Sequence, residues 1–179
     1  RWVREAGVEP SEAVHAVDVP CAVVAVATGP GVQRLLGSLG VQRIVAGGQS
    51  MNPSTAQLLE AVEAVPSDEV VILPNNKNIV AVALQVDAQT SKKVTVVPTH
   101  SVTQGLASLL TYDPQTTAEA NAAAMTEAAS TVLIGEVTRA VRDTTVEVGD
   151  VHVGDYIGLS ADGIRSVHTD LAAATIALL

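Results

Sequence analysis

The sequence predicts an α/β fold in which a mostly parallel, four-stranded sheet flanked by helices is followed by a smaller α+β lobe with antiparallel strands. Continuous aliphatic runs such as Cys21–Ala27 are typical of strands buried on both faces. Four such runs are each followed by polar turn residues and then by apolar residues at helical spacing. Because these units recur about every 25–30 residues, we expect parallel βαβ units with right-handed crossovers.

The first two units occupy residues 21–65. The first strand is predicted over Cys21–Ala27, and the turn at 28–31 separates it from a helix over 32–39. The second strand is predicted over 41–46, where Gly47-Gly48 ends it, and a polar loop leads to a helix over 58–65.

The third and fourth units follow the same plan. A strand over 69–74 precedes an asparagine-rich turn and a helix over 79–86. A strand over 93–98 precedes Thr99-His100-Ser101 and a helix over 106–110. These two units complete the predicted four-stranded sheet.

The pattern changes at Asp113-Pro114. Residues 116–131 predict an alanine-rich helix capped by Thr116 or Thr117. The later segments 132–141 and 144–148 alternate or cluster like strands, and turns at Gly149 and Gly154 favour an antiparallel sheet. An apolar helix is predicted over the last ten residues. We therefore predict a lead-in or linker, an α/β lobe and an α+β lobe that is incomplete. Their predicted ranges are 1–20, 21–114 and 115–179.

Composition excludes several classes of protein. The chain has 179 residues, a formal net charge of −9 and only 2% aromatic residues, without a single Phe. A general nucleic-acid binder needs basic residues and stacking rings, so nucleic acid is not an expected partner. No apolar run reaches the roughly 18–20 residues of a membrane span, and no signal peptide is evident. We expect a cytoplasmic protein whose single cysteine, Cys21, is a small buried hydrophobe.

The turns that follow the four strands are the predicted site. The carboxyl ends of parallel strands meet at one edge of a sheet, where open α/β sheets bind their ligands. The same residue types are also typical of plain turns and helix caps, and Ser54 or Thr55 is suited to cap a helix. The candidate ligand-binding or partner-binding residues are Gly48, Gln49, Ser50, Asn52, Ser54, Thr55, Asn75, Asn76, Lys77, Asn78, Thr99 and His100.

Two of these candidates are cationic or titratable. Lys77, between asparagines, is suited to neutralise an anionic group, but a solvated loop is an equally ordinary interpretation. His100 follows a strand end, where a general base or an anion contact operates, and no carboxylate is close to it in sequence. Arg139, Arg142 and Asp143 are weaker candidates for docking a partner. The two arginines are expected on opposite faces of a strand, and Asp143 is expected to pair with Arg142.

Nucleotide-binding motifs are absent from the sequence. It contains no Gly-x-x-x-x-Gly-Lys-Ser/Thr loop, no Gly-x-Gly-x-x-Gly between strand and helix, and no aspartate cluster of the kind that chelates Mg²⁺. We therefore assign no catalytic residue, no metal ligand and no cofactor to this chain.

Several longer segments resemble the C-terminal domain of the fatty acid kinase A subunit family, also described as dihydroxyacetone-kinase-like or Dak phosphatase proteins. The segments that carry this resemblance are Ile44-Val-Ala-Gly-Gly-Gln-Ser-Met-Asn-Pro-Ser-Thr55, Leu73-Pro-Asn-Asn-Lys-Asn78, Val97-Pro-Thr99 with Gln104-Gly105, and Gly135-Glu-Val-Thr-Arg-Ala-Val-Arg-Asp-Thr144. The resemblance covers roughly residues 21–165.

The resemblance implies a division of labour within a larger bacterial kinase. A separate N-terminal domain would hold ATP and Mg²⁺, and the C-terminal domain would have a fold like that of DegV-type fatty-acid-binding proteins. Those proteins would be the partners that present a fatty acid for phosphorylation, and the acyl phosphate would supply phospholipid synthesis. The loop from Gly48 to Ser54 lies where DegV-type proteins carry a carboxylate-binding loop, although Met51-Asn52 interrupts the pattern.

The residues and the resemblance leave three alternative functions for this chain. The first is a partner-docking or regulatory domain of a fatty acid kinase, for which a homodimer is one conceivable assembly. The second is a domain that binds a small anion or an acyl ligand at the strand-end turns. The third is an autonomous reaction that uses His100, which lacks an oriented acid–base pair in the sequence.

Overall fold

The computed structural model describes residues 19–48, 51–160 and 163–178. The chain forms two compact units that divide between Val132 and Leu133. Most of the predicted lead-in, residues 1–18, lies outside the described residues. None of the described helices is long and apolar enough to cross a lipid bilayer.

The first unit is built on a four-stranded sheet in which all strands are parallel, so this part of the predicted fold class is confirmed. The strand order is β2-β1-β3-β4, with β1 paired to β2 and β3 on its two sides. The strands are β1 (Cys21–Ala27), β2 (Arg43–Ala46), β3 (Glu69–Leu73) and β4 (Lys93–Val96).

Among the described residues of the first unit, five α-helices cover the two faces of this sheet. They are α1 (Pro30–Ser38), α2 (Thr55–Glu63), α3 (Lys77–Ala83), α4 (Val102–Leu109) and α5 (Ala118–Ser130), and a short 3₁₀ helix spans Asp87–Gln89. Side chains of α1, α4 and α5 pack on one face, and side chains of α2 and α3 pack on the other. The arrangement is a three-layer α/β sandwich.

The core of the first unit is aliphatic because β1 is buried along its whole length. Val23 and Ala25 point to the face covered by α1, α4 and α5, whereas Val24 and Val26 point to the opposite face. This alternation is the ordinary two-residue period of a strand, here with apolar residues at every position. The continuous valine-rich run in the sequence therefore has a direct structural cause.

Helix α5 packs within the first unit, whereas the sequence boundary between 114 and 115 assigned it to the second lobe. Ala118, Ala122 and Met125 lie in the core cluster on the sheet face shared with α1 and α4. The backbone N–H of Ala118 donates to Glu69 Oε2 at 2.5 Å, which joins the start of α5 to the start of β3. The division between the units consequently follows α5 instead of preceding it.

The second unit contains antiparallel strands and one helix, as the sequence predicts. A three-stranded sheet has the order β5-β8-β9, and β6 and β7 form a separate hairpin. The Ser166 hydroxyl donates to the carbonyl of Ala174 at 3.2 Å, which holds the helix against the sheet. The elements are β5 (Glu136–Arg139), β6 (Thr144–Val146), β7 (Gly149–Val151), β8 (Tyr156–Ser160), β9 (Gly163–His168) and α6 (Leu171–Ile176).

Candidate functional site

The four strand-end turns of the first unit lie at one edge of the sheet, because all four strands are parallel. We call this edge the βα rim and define it as residues 28–31, 47–55, 74–78 and 98–101. The chain moves from β1 outward to β2 and then returns to the other side of β1 as β3. A change of direction of this kind opens a crevice between the strand ends, which is the usual ligand site of such sheets.

Asn75 follows β3 and bonds across to the end of β1 at this change of direction. Its backbone is in the left-handed region, with φ 53°, and its amide Nδ2 donates to the carbonyl of Val26 at 3.0 Å. The Thr99 hydroxyl donates to Asn75 Oδ1 at 2.9 Å and accepts from the Asn75 backbone N–H at 3.0 Å. Both side chains are buried. Asn75 and Thr99 therefore join the ends of β1, β3 and β4 instead of facing a ligand.

Helix α4 approaches this pair closely through Gly105. A Cβ built at position 105 would lie 2.1 Å from Asn75 Oδ1, a distance that no real side chain accommodates. Ser101 caps α4 by accepting from the Gln104 N–H at 3.2 Å, and Gln104 Oε1 accepts from the His100 N–H at 2.7 Å. The packing role of Gly105 was not predicted from the sequence. Its only signal there is an isolated glycine within a helical pattern.

The loop after β2 is also fixed by a close approach. A Cβ on Gly47 would lie 2.8 Å from Pro53 Cδ and 2.9 Å from Val26 Cγ1, and the Gly48 N–H donates to the carbonyl of Met51 at 2.9 Å. The candidates Gln49 and Ser50, which belong to this loop, lie outside the described residues.

Two further candidates serve as helix caps. Ser54 caps α2 in a reciprocal arrangement, since its backbone N–H donates to Gln57 Oε1 and its hydroxyl accepts from the Gln57 N–H. The predicted capping role of Ser54 is thus confirmed, while the Thr55 hydroxyl donates to Gln85 Oε1 at 3.3 Å. Asn76 caps α3 by accepting from the Asn78 N–H at 2.8 Å.

The remaining candidates point outward. Asn52, Lys77, Asn78 and His100 are exposed, and Met51, which was not among the sequence candidates, is 60% exposed. None of these five side chains makes a hydrogen bond or an ion pair to another residue within the described parts of the chain. The βα rim therefore combines an inner set that holds the fold with an outer set that is available for contacts.

The FakA-like C-terminal family model, which represents the C-terminal part of proteins like the fatty acid kinase A subunit, matches residues 22–179. The chain belongs to this family. It is 41% identical over 160 residues to Protein YloV of Bacillus subtilis (strain 168), which covers 89% of this chain and 29% of YloV. It is 38% identical over 152 residues to uncharacterized protein SH1689 of Staphylococcus haemolyticus (strain JCSC1435), covering 85% of this chain and 28% of that protein. The chain thus spans less than a third of these relatives.

In this FakA-like C-terminal domain, the two arginine candidates of the second unit differ in their surroundings. Arg139 contacts other residues of the unit, and Arg142 lies in the turn after β5. Arg139 Nε donates to the carbonyl of Gly154 at 3.0 Å, and its guanidinium carbon is 5.7 Å from the centre of the Tyr156 ring. The expectation that Arg142 shares a strand with Arg139 is wrong, because β5 ends at Arg139. Arg139 and Arg142 therefore do not lie on opposite faces of one strand, because Arg142 follows the end of β5.

Asp143 does not form the expected pair with Arg142 among the described contacts. Its Oδ1 accepts from the Val153 N–H at 2.7 Å and lies 4.0 Å from His152 Nδ1. Since the Asp143 and His152 side chains are both largely exposed, any ion pair between them contributes little to stability. These contacts close the loop between β7 and β8 against the turn that follows β5.

Cys21 and Tyr112 of this domain have perturbed acidities for structural reasons. Burial raises the pKa of the Cys21 thiol, a hydrogen bond with Asn121 opposes the shift, and the Glu69 charge adds to it. Burial also raises the pKa of Tyr112, whose hydroxyl donates to the Cys21 carbonyl at 2.6 Å. Cys21 is fully buried, which confirms the predicted role as a small hydrophobe. Neither group lies on the βα rim.

A metal site is not evident in the part of the chain that the structure describes, since no three His, Cys, Asp or Glu side chains there are grouped to hold an ion. The same holds for the described part of the βα rim, which offers only His100 among these residue types. Of the chemistry available at this rim, the structure supports hydrogen bonding and charge recognition.

Proposed function

We propose that this chain is the partner-docking domain of a fatty acid kinase and that it recruits a DegV-type fatty-acid-binding protein. The single observation that carries the proposal is membership of the FakA-like C-terminal family over residues 22–179. In the proposed reaction, a cytoplasmic phosphotransferase phosphorylates a fatty acid that the partner holds. This chain would bring the partner to the kinase.

The βα rim supports a docking role more than a catalytic one. Its buried polar residues, Asn75 and Thr99, satisfy each other and the carbonyl of Val26, so they are not free to act on a substrate. Lys77 and His100 are exposed and lack a described partner that would orient them for proton transfer. Exposed side chains on a rigid sheet edge are well suited to contact another protein.

The nucleotide chemistry is proposed to lie elsewhere in the whole protein. The sequence of this chain has no phosphate-binding loop, and the matched part covers only 28–29% of the relatives, which are about three times its length. We therefore assign ATP and Mg²⁺ to a domain outside this chain. That assignment agrees with the division of labour that the family resemblance implies.

Isothermal titration calorimetry with the 179-residue chain and a DegV-type fatty-acid-binding protein tests the proposal. The partner is prepared both free of lipid and loaded with palmitate. We expect saturable binding in at least one of these states, and absence of binding in both would overturn the proposal.

Titration of the chain with palmitate alone and with inorganic phosphate alone forms the control. Binding of either small ligand, without binding of the protein partner, would instead favour the alternative function of a small-anion or acyl-ligand domain. Calorimetry separates these outcomes because the stoichiometry and heat of each titration are measured independently.

A further inference from the structure

We propose that Met51, Lys77 and His100 form a docking patch on the βα rim that binds an acidic surface of the partner protein. This inference rests on the proposed function and deepens it, because it names the surface and the chemistry that the partner must present. It is carried by the distribution of charge over the first unit and by the exposure of these three side chains.

The βα rim is free of acidic residues in a chain that is strongly acidic overall. The chain has 19 Asp and Glu against 10 Lys and Arg, yet the four turns of the rim contain Lys77 and His100 and not one carboxylate. The first turns of α1, α2, α3 and α4, which begin at the rim, likewise carry no acidic residue. The rim is therefore the end of the sheet that an anionic surface can approach with least repulsion.

Carboxylates occur instead at the opposite edge of the sheet, together with cations. Asp68 and Glu69 lie at the amino end of β3, Asp87 begins the 3₁₀ helix that precedes β4, and Glu119 lies in the first turn of α5. Arg43 at the start of β2 and Lys92 and Lys93 at the start of β4 lie at the same edge. The two edges of the sheet consequently differ in that the turns of the βα rim carry no carboxylate, whereas the opposite edge carries both signs of charge. An acidic surface therefore meets no like charge in the turns of the rim.

Lys77 is placed where it does not stabilise its own helix. It is the first residue of α3, and a cation at a helix amino terminus is disfavoured by the helix dipole. Its side chain is exposed and has no partner among the described residues. The Lys77 ammonium is therefore available to pair with an acidic surface that approaches the rim.

Met51 supplies an apolar side chain on the same rim as Lys77 and His100. It is 60% exposed, and its carbonyl is held by the Gly48 N–H at the start of the same loop. An exposed methionine is adaptable and is favoured at protein-binding surfaces. Apolar and charged side chains occur together on such surfaces, and here Met51 lies at the β2 end of the patch.

The buried polar side chains of the rim bond to the protein itself. The Asn75 amide reaches from the end of β3 to the carbonyl of Val26 in β1, and Gly105 packs against it. Three interstrand spacings give the rim a width of about 14 Å, which suits a modest interface. The patch extends from the end of β2, near Met51, to the end of β4, near His100.

Charge reversal at Lys77 is the central test. The Lys77→Glu variant is compared with Lys93→Glu, which makes the same change in charge on the opposite edge of the sheet. Lys93 is exposed and lies 3.7 Å from Glu119, and a surface ion pair of this kind contributes little to stability. Calorimetry with the DegV-type protein, in the lipid state that binds the wild-type chain, is performed at about 50 and about 300 mM NaCl. We expect Lys77→Glu to weaken binding about tenfold at low salt and less at high salt, and Lys93→Glu to leave it within about twofold.

The stability of the same variants distinguishes a docking role from a structural one. Because a glutamate at the start of α3 suits the helix dipole, Lys77→Glu should melt at the same temperature as the wild type or slightly higher. Loss of affinity together with retained stability supports the patch. Equal affinity of Lys77→Glu and the wild type would overturn it.

Met51 has its own matched control. Met51→Ser removes the apolar contact at the rim, and Leu84→Ser removes a leucine of similar exposure, 61%, at the far end of α3. We expect about a fivefold loss of affinity for Met51→Ser and no loss for Leu84→Ser. Equal effects of the two variants would contradict the location of the patch.

The outcomes for the two proposals are distinguishable. If the wild-type chain does not bind the partner in either lipid state, the proposed function fails, and the patch fails with it. If the wild type binds and Lys77→Glu binds the partner as tightly as the wild type does, the patch is overturned and the proposed function stands. Binding of inorganic phosphate that depends on Lys77 would reassign the patch to a small anion.

Discussion

The side chain of Asn75 lies directly against the α-carbon of Gly105, so that a Cβ at position 105 would be 2.1 Å from Asn75 Oδ1. This contact joins the turn after β3 to helix α4. Asn75 in turn bonds to Thr99 and to the carbonyl of Val26. A single asparagine thus links three strand ends and one helix, and it fixes the surface on which the outward-facing residues are displayed.

Gly105→Ala should lower the free energy of unfolding by about 1–3 kcal/mol, because the added methyl forces Asn75 and its hydrogen bonds to move. Urea denaturation followed by circular dichroism measures the change. Gly31→Ala is the matched control, since Gly31 also lies in a helix and a Cβ placed on it would meet nothing within 4 Å. We expect this control to be neutral or up to about 1 kcal/mol more stable than the wild type. Equal behaviour of the two variants would contradict the close packing at Gly105.

Asn75→Asp should destabilise the first unit by about 1–3 kcal/mol at pH 7, because a carboxylate cannot donate to the carbonyl of Val26. The loss should shrink at lower pH, where a protonated carboxyl regains a donor. Asn78→Asp is the control, as Asn78 is exposed and its side chain has no described hydrogen bond. Chemical denaturation at pH 5 and 7 gives both comparisons, and comparable losses for the two variants would argue against a buried donor role for Asn75.

The sheet and its strand-end turns were predictable because their signals are local. The apolar run Cys21–Ala27 is continuous, and this is the pattern that burial on both faces requires. Ser54 was recognisable as a cap because it precedes an apolar helix with Gln57 three residues later. Both features depend only on residues that are close together in the sequence, so they can be recognised without knowledge of the fold.

The position of α5 and the inward or outward direction of the rim residues were not predictable in this way. Helix α5 contacts the sheet through small residues such as Ala118 and Ala122, which give no strong apolar stripe in the sequence. Asn75 and Asn76 look alike in the sequence, but only Asn75 takes the left-handed conformation that meets Gly105. That difference depends on the approach of α4, a contact between distant parts of the chain.

The loop after β2 should depend on the absence of a side chain at Gly47. Gly47→Ala places a methyl 2.8 Å from Pro53 Cδ and 2.9 Å from Val26 Cγ1, and we expect a loss of about 1–3 kcal/mol in the free energy of unfolding. Gly48→Ala is the matched control, because its nearest neighbours in Thr28 are 3.7 Å away. Thermal melts of both variants provide the measurement. If Gly48→Ala were less stable than Gly47→Ala, the close packing of Gly47 against Pro53 and Val26 would be contradicted.

The raised pKa of the Cys21 thiol predicts a loss of stability in alkali. Cys21 ionises at a higher pH in the folded chain than in the unfolded chain, because burial disfavours the thiolate. The stability that the neutral Cys21 thiol contributes to the folded chain is therefore complete below the pKa of the thiol in the unfolded chain, about 8.5. This stability is lost as the pH rises from there toward the pKa of the thiol in the folded chain. The slope from this one group cannot exceed about 1.4 kcal/mol per pH unit.

Urea denaturation between pH 7 and 10 tests this effect with the variants Cys21→Ala and Val24→Ala. Both lose packing in the buried strand β1, but only Cys21→Ala removes the titrating thiol. We expect the stability of Cys21→Ala to fall less steeply above about pH 8.5 than that of the wild type. The free energy of unfolding of Val24→Ala should be lower than that of the wild type at every pH and should fall with the same slope.

Tyr112, whose pKa is also raised by burial, should account for the loss of stability that persists in Cys21→Ala toward pH 10. Parallel curves for Cys21→Ala and the wild type would show that the thiol does not carry the alkaline loss.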